Sequence, residues 1–139
     1  MNKDKIFELF DGDESIKKLD PNTVDVFMNT PYAKIGMFTK LITNHFIFHK
    51  KLENFFKKEG ATYSVDKTKE VSEYTIYNRA WFYIKQVDIN NYSHKLAIND
   101  FEPVSFTKSL QSSIVYFEDQ EQYERCAHLF KIKQLLKKA

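Results

Sequence analysis

The segment Pro31–Glu59, PYAKIGMFTKLITNHFIFHKKLENFFKKE, repeats its apolar residues at intervals of three and four rather than two. Phe38, Leu41, Ile42, Phe48, Leu52 and Phe55 fall on one stripe together with His45. Lys40, Lys50, Lys51, Asn54, Lys57 and Lys58 lie largely off it. That spacing predicts one long amphipathic helix. Its ends are marked by Pro31 behind Thr30, a first-turn proline, and by Gly60, a C-terminal cap. Gly36 interrupts the pattern and costs a helix about 1 kcal/mol relative to Ala unless it permits close packing.

Downstream, Glu70–Val87 carries two adjacent stripes, Tyr74, Tyr77, Trp81, Ile84 and Val87 on one and Ile76, Ala80 and Tyr83 on the other. Such a helix belongs near the centre of a fold. From Ser105, Phe106, Leu110, Ile114 and Phe117 share a helical face. After the polar break Glu118-Asp119-Gln120, a last helix carries Tyr123, Cys126-Ala127, Phe130 and Leu135-Leu136. These segments predict an all-α single domain over 1–139, a small bundle of four or five helices closed by a C-terminal helical hairpin. Residues 61–69 and 88–103, rich in Thr, Ser, Asn and charge, read as loops. Partial alternation at 62–65 and 92–98 leaves an α+β alternative in which these stretches pair as a short hairpin. Residues 1–20, two short amphipathic pieces around Asp11-Gly12-Asp13, read as a loosely attached N-terminal arm.

Composition narrows the function classes. With 21 Lys+Arg against 19 Asp+Glu the formal charge is +2, too small to argue for non-specific binding to nucleic acid or membrane. Only Arg79 and Arg125 are arginines, which weakens a phosphate clamp. Cys126 is the sole cysteine, so neither an intrachain disulfide nor a multi-cysteine zinc site can form, and a reducing cytoplasm is the expected setting. The start lacks a signal-peptide apolar region, and no apolar run approaches the roughly 18 residues of a membrane span. Abundant Lys, Asn and Ile fit an AT-rich coding sequence, such as that of a low-GC bacterium or its phage. No phosphate-binding glycine loop, nucleophile elbow or dinucleotide fingerprint is present, so no cofactor and no catalytic residue is expected.

His45 and His49, four apart on one helix face, have a spacing that can seat a transition metal. The residue after His45 is Phe46, where a metalloprotease needs Glu, and a third ligand from Glu53, His94 or His128 is not required by anything in the sequence. Two stripe histidines with no metal is the expectation. Cys126 and His128 are two apart on a helix and so do not face each other; a packed thiol is expected. Asp11–Ser15 has its glycine at the wrong offset for a calcium loop. The acids Glu118, Asp119, Glu121 and Glu124 read as a helix-start cluster favoured by the macrodipole.

The segment Leu110–Leu136 resembles the UVR motif, a helical hairpin of bacterial excision-repair nuclease subunits and of some stress-response adaptor proteins. The resemblance rests on Tyr123-Glu124, Cys126-Ala127 and Leu129, with Leu110 and Ile114 upstream. Phe130 and Lys131 stand where the family has Arg-Asp, and Ile132 comes one place early. It covers about a fifth of the chain and implies a hairpin that mediates protein association.

The surplus of rings, 13 Phe, eight Tyr and one Trp, favours a non-enzymatic binding or accessory protein whose partner is another protein or itself. Phe46, Phe56 and Phe82 fall off the main stripes and are the candidate contacts. The alternative is a nucleic-acid-binding accessory factor using Lys50, Lys51, Lys57 and Lys58 with Lys131, Lys133, Lys137 and Lys138. Against it, lysines near helix C-termini complement the dipole.

Overall fold

The computed structural model of the protein describes residues 20–59 and 65–136, and all its regular structure is helical. The helices are α1 (Pro21–Met28), α2 (Pro31–Glu59), α3 (Val65–Ile84), α4 (Tyr92–Asp100), α5 (Pro103–Asp119) and α6 (Tyr123–Leu136). No strand occurs among the described residues, so the all-α reading holds and the α+β alternative falls. Residues 92–98 lie inside α4, Val65 opens α3, and 62–64 lie outside the described residues. So do the Asp11–Ser15 loop, the cap at Gly60 and the arm expected over 1–20, Asp20 apart. No described helix is long and apolar enough to cross a membrane.

α1 belongs to one compact unit and α2 to α6 to another, which begins at Pro31. In α1, Pro21 sits in the first turn and the Asp20 carboxylate accepts from Asn22 N at 3.0 Å, capping the helix start.

α4 is the element the sequence reading missed. Asn90-Asn91, taken as a loop signal, is a helix start: the Asn91 side chain accepts from Ser93 N at 2.9 Å and from His94 N at 3.4 Å. Burial of Ala97 and Ile98 then holds nine residues in a helix too short to persist alone. Pro103 likewise begins α5 rather than closing a loop, with the exposed Glu102 carboxylate accepting from Val104 N at 2.9 Å and Ser105 N at 2.8 Å. Those bonds hold its carboxyl below the usual carboxylate range.

The core joins Ile35, Phe38 and Ile42 of α2 to Ile84, Ile98, Phe106, Leu110, Phe117, Leu129 and Ile132. Each such side chain contributes roughly 1.5–3 kcal/mol on burial. Phe38 meets Phe106 edge to face at 6.1 Å, and Phe106 meets Phe101 at 5.7 Å, which ties α4 and α5 to the first half of α2. α5 and α6 form the expected C-terminal hairpin. Its turn is a Schellman closure, with Gln122 N donating to Phe117 O at 2.8 Å, Glu121 N to Glu118 O at 3.0 Å, and Glu121 left-handed at φ 60°.

Three details of the predicted stripes are corrected. On α2 the buried or half-buried seam is Ile35, Phe38, Ile42, His45, His49, Leu52 and Phe56, whereas Phe48 and Phe55 are exposed. Leu41, Phe48 and Phe55 are spaced seven apart and share the flank of this seam, where Leu41 packs half-buried against the core and Phe48 and Phe55 are left exposed. On α3, Tyr74 is exposed while Tyr77, Ala80 and Ile84 are buried. On α6, Leu129 and Ile132 fill the core, and Tyr123, Ala127 and Phe130 face outward. The acidic cluster is also divided: Glu118 and Asp119 end α5, and only Glu124 lies in the first turn of α6.

Candidate interaction surface on the α2–α3 pair

α2 and α3 run antiparallel. Lys34 Nζ donates to Gln86 Oε1 at 2.6 Å near one end, and the rings of His45 and Tyr77 meet at 6.3 Å further along. Over the first half of α2, the seam is sealed by Phe101 and Phe106. Past His49 the packing changes. No described side chain from Lys50 to Lys58 is buried, and none from Lys67 to Ile76. On and beside this reach, Phe48, Phe55, Val71 and Tyr74 are 62%, 56%, 67% and 65% exposed. This reach of the helix pair therefore presents four large apolar side chains to solvent.

The seam at this border is polar. His45 and His49 are 7% and 8% exposed, and their rings stack at 5.8 Å with 20° between planes. Burial, reinforced by His49 and Lys69 and opposed by Glu73, holds the His45 imidazole below its ordinary pKa. His49 Nε2 lies 3.3 Å from Glu53 Oε1, outside hydrogen-bond geometry, and finds no hydrogen-bond partner among the described residues. The other histidines are engaged elsewhere: His94 Nδ1 accepts from Asp88 N at 2.8 Å, and His128 Nε2 lies 3.1 Å from Ile84 O. Among the described residues no three His, Cys, Asp or Glu side chains gather so as to hold a metal ion.

Cys126 is half-buried, with its thiol donating to Ile114 O at 3.4 Å. Burial and the nearby Glu118 push its pKa up, the opposite of an activated thiolate. His128 turns away to meet Trp81 edge-on at 5.5 Å.

Between α3 and α5 the rings form a continuous stack. Tyr77 and Tyr116 lie parallel at 4.5 Å and 11°, and Trp81 meets Phe117 edge-on at 5.9 Å. The Arg125 guanidinium sits 5.1 Å from the centroids of both Trp81 and Phe117 while its Nη1 donates to Asn78 Oδ1 at 2.9 Å. Beside Tyr116 a cleft of about 300 Å³ opens, lined by Glu70, Val71, Glu73, Tyr74, Tyr116 and Gln120. Burial pushes the Tyr116 hydroxyl pKa up, and Glu73, Tyr74 and Glu70 push the same way against Arg125. A more open cleft of about 500 Å³ lies between the α3–α4 turn and α6, with both signs of charge on its walls, among them Lys85, Asp88, Glu124 and Lys131.

Phe46 and Phe82 are exposed, and Phe56 is half-buried against Phe55 at 5.7 Å. They do not share one patch. The α2–α3 register places Phe82 level with about residue 39 of α2, roughly 25 Å along the axis from Phe56 at 1.5 Å per residue. Lys50, Lys51, Lys57 and Lys58 are exposed on α2. Lys131 is exposed on α6, Lys133 donates to Gln111 on α5, and Lys137 and Lys138 lie outside the described residues.

The sequence reading did not single out the lining of the smaller cleft. Its signal was the spacing of Glu70, Glu73 and Tyr74 and of Tyr116 and Gln120, each set on one helix face. That α3 and α5 bring the two sets together is a tertiary fact.

No protein-family model matches the chain, and no curated protein or solved structure matches it.

Proposed function

We propose that this is a non-enzymatic accessory protein acting through protein association, and that the distal α2–α3 pair is its contact surface. One observation carries the reading: past the His45–His49 layer no described apolar side chain of the two helices is more than half-buried, and on and beside this reach Phe48, Phe55, Val71 and Tyr74 are exposed. Rings left in water on a helical surface give a partner apolar area to cover, at roughly 25 cal/mol per Å². The resemblance of Leu110–Leu136 to the UVR hairpin, which mediates association in its family, adds support. The partner is another protein or a second copy of this chain. The single cysteine and the Lys-, Asn- and Ile-rich composition favour a reducing cytoplasm in a low-GC bacterium or its phage.

The test compares the wild-type chain with a Phe48→Ser/Phe55→Ser variant in sedimentation equilibrium and in pull-downs from the native host, with captured proteins identified by mass. Self-association or a captured partner that disappears in the variant supports the reading. A monomer whose captured proteins are the same with and without the two rings overturns it.

A second reading, a nucleic-acid-binding accessory factor, has one observation in its favour, the exposure of Lys50, Lys51, Lys57 and Lys58 on one helix. It requires retention of single- or double-stranded DNA that weakens steeply with salt.

A further inference from the structure

The geometry points to the cleft between α3 and the end of α5 as a receptor for an organic cation, the guanidinium or ammonium group of a basic side chain on the partner protein. This inference rests on the association reading above and adds the partner's chemistry at one place. The cleft combines three properties that a buried or half-buried side-chain cation needs. Its lining offers aromatic rings: Tyr74, 65% exposed, and Tyr116, which is braced by its parallel stack on Tyr77. Two carboxylates, Glu70 and Glu73, stand one turn apart on the same face of α3. The remaining polar wall is Gln120, the C-terminal cap of α5, where the helix dipole presents its negative end and the last turn adds Glu118 and Asp119.

The charges already present leave room for a cation. Half-buried Glu73 lies 3.9 Å from exposed Lys69, a loose pair. Arg125, the cation acting on Tyr116, is held over Trp81 and Phe117 and hydrogen-bonded to Asn78. That arrangement is also the internal precedent: one guanidinium is already gripped by two rings and an amide oxygen on the α5–α6 side of this aromatic stack. At about 300 Å³ the cleft admits a side-chain head and its stem but not a folded segment. The specificity expected is for one extended basic residue, with an anionic group rejected by the two carboxylates.

The experiment titrates the full chain, followed by two-dimensional NMR, with capped tripeptides Gly-Arg-Gly, Gly-Lys-Gly and Gly-norleucine-Gly. The cationic peptides should shift resonances of Glu70, Glu73, Tyr74 and Tyr116, and the neutral peptide should not. The Glu70→Gln/Glu73→Gln variant should bind about tenfold more weakly, and Tyr74→Ala should lose a comparable factor while Tyr74→Phe retains binding. Glu70 and Tyr74 are exposed and Glu73 is half-buried, and an unchanged helical circular-dichroism spectrum separates loss of binding from loss of fold. Equal shifts from the norleucine peptide, shifts scattered over the surface, or unchanged affinity in the carboxamide variant overturn the inference. If those results arise while Phe48 and Phe55 still govern partner capture, the cleft assignment falls alone. Cation binding at the cleft without any protein partner leaves the cleft standing and removes the association reading.

Discussion

The imidazoles of His45 and His49 lie stacked at 5.8 Å in a seam that leaves each less than a tenth exposed. Burial is the main cause that favours the neutral form of His45, with His49 and Lys69 adding to it and Glu73 opposing. The folded-state pKa of His45 is therefore below the unfolded value near 6.5, so the unfolded chain binds the proton first as pH falls. The stability contributed by neutral His45 is complete above pH 6.5 and is lost as pH drops through the folded pKa. Urea unfolding at pH 7.5 and 5.0 should show a lower midpoint at the acid pH, and His45→Gln should reduce that difference. A wild-type midpoint that does not move between these pH values contradicts the assignment.

Gly36 lies inside the continuous helix α2 without a packing reason for its missing side chain. A Cβ built there meets only the Phe101 ring, at 3.6 Å, an ordinary van der Waals distance. Gly36→Ala should raise stability by about 0.5–1 kcal/mol through helix propensity and a less flexible unfolded chain. Thermal or chemical denaturation measures it directly, and a loss of stability would mean that α2 and Phe101 approach more closely than they do.

Glu121 holds the α5–α6 turn at φ 60°, a conformation that a residue with a Cβ adopts at a cost of roughly 1–2 kcal/mol. Both Schellman hydrogen bonds of that turn depend on it. Glu121→Gly should stabilise the protein by up to about 1 kcal/mol, and Glu121→Val should destabilise it by a similar amount. Comparing the melting temperatures of the two variants gives the sign in each case.

Phenylalanines of α2 that look equivalent in sequence should separate by mutation. Phe38 is buried against Phe106, so Phe38→Ala should cost about 3–5 kcal/mol. Phe48→Ala and Phe55→Ala should each change the stability of the isolated chain by less than about 0.5 kcal/mol. Equilibrium unfolding of the three variants decides it; a large loss at Phe48 would place that ring in a packed contact.

The helical character of the chain, the extent of α2 and the closing hairpin were legible because they depend on local signals: apolar spacing of three and four, a proline behind a capping residue, a polar break at Glu118–Gln120. α4 was hidden because nine residues from Tyr92 make too weak a pattern; its helix exists through the Asn91 cap and the burial of Ala97 and Ile98. The α2 seam was misread for a related reason. A helix presents several stripes of equal spacing, and which of them is covered depends on where its partners lie. Phe48 and Phe55 outrank His45 and His49 in hydrophobicity, yet α3 docks over the histidines.

What the residue order determined by itself is that the backbone coils, where most coils start and stop, and that the chain is rich in aromatic rings. What the tertiary arrangement decided is which rings touch: Tyr77 on Tyr116, Arg125 over Trp81 and Phe117, Glu70 and Glu73 facing Gln120 across a cleft. The physical reason is range. Helix propensity and capping act within about four residues, whereas packing joins positions as distant as Glu70 and Gln120 at one cleft, or Asn78 and Arg125 in one hydrogen bond 47 residues apart, and no local spacing encodes it.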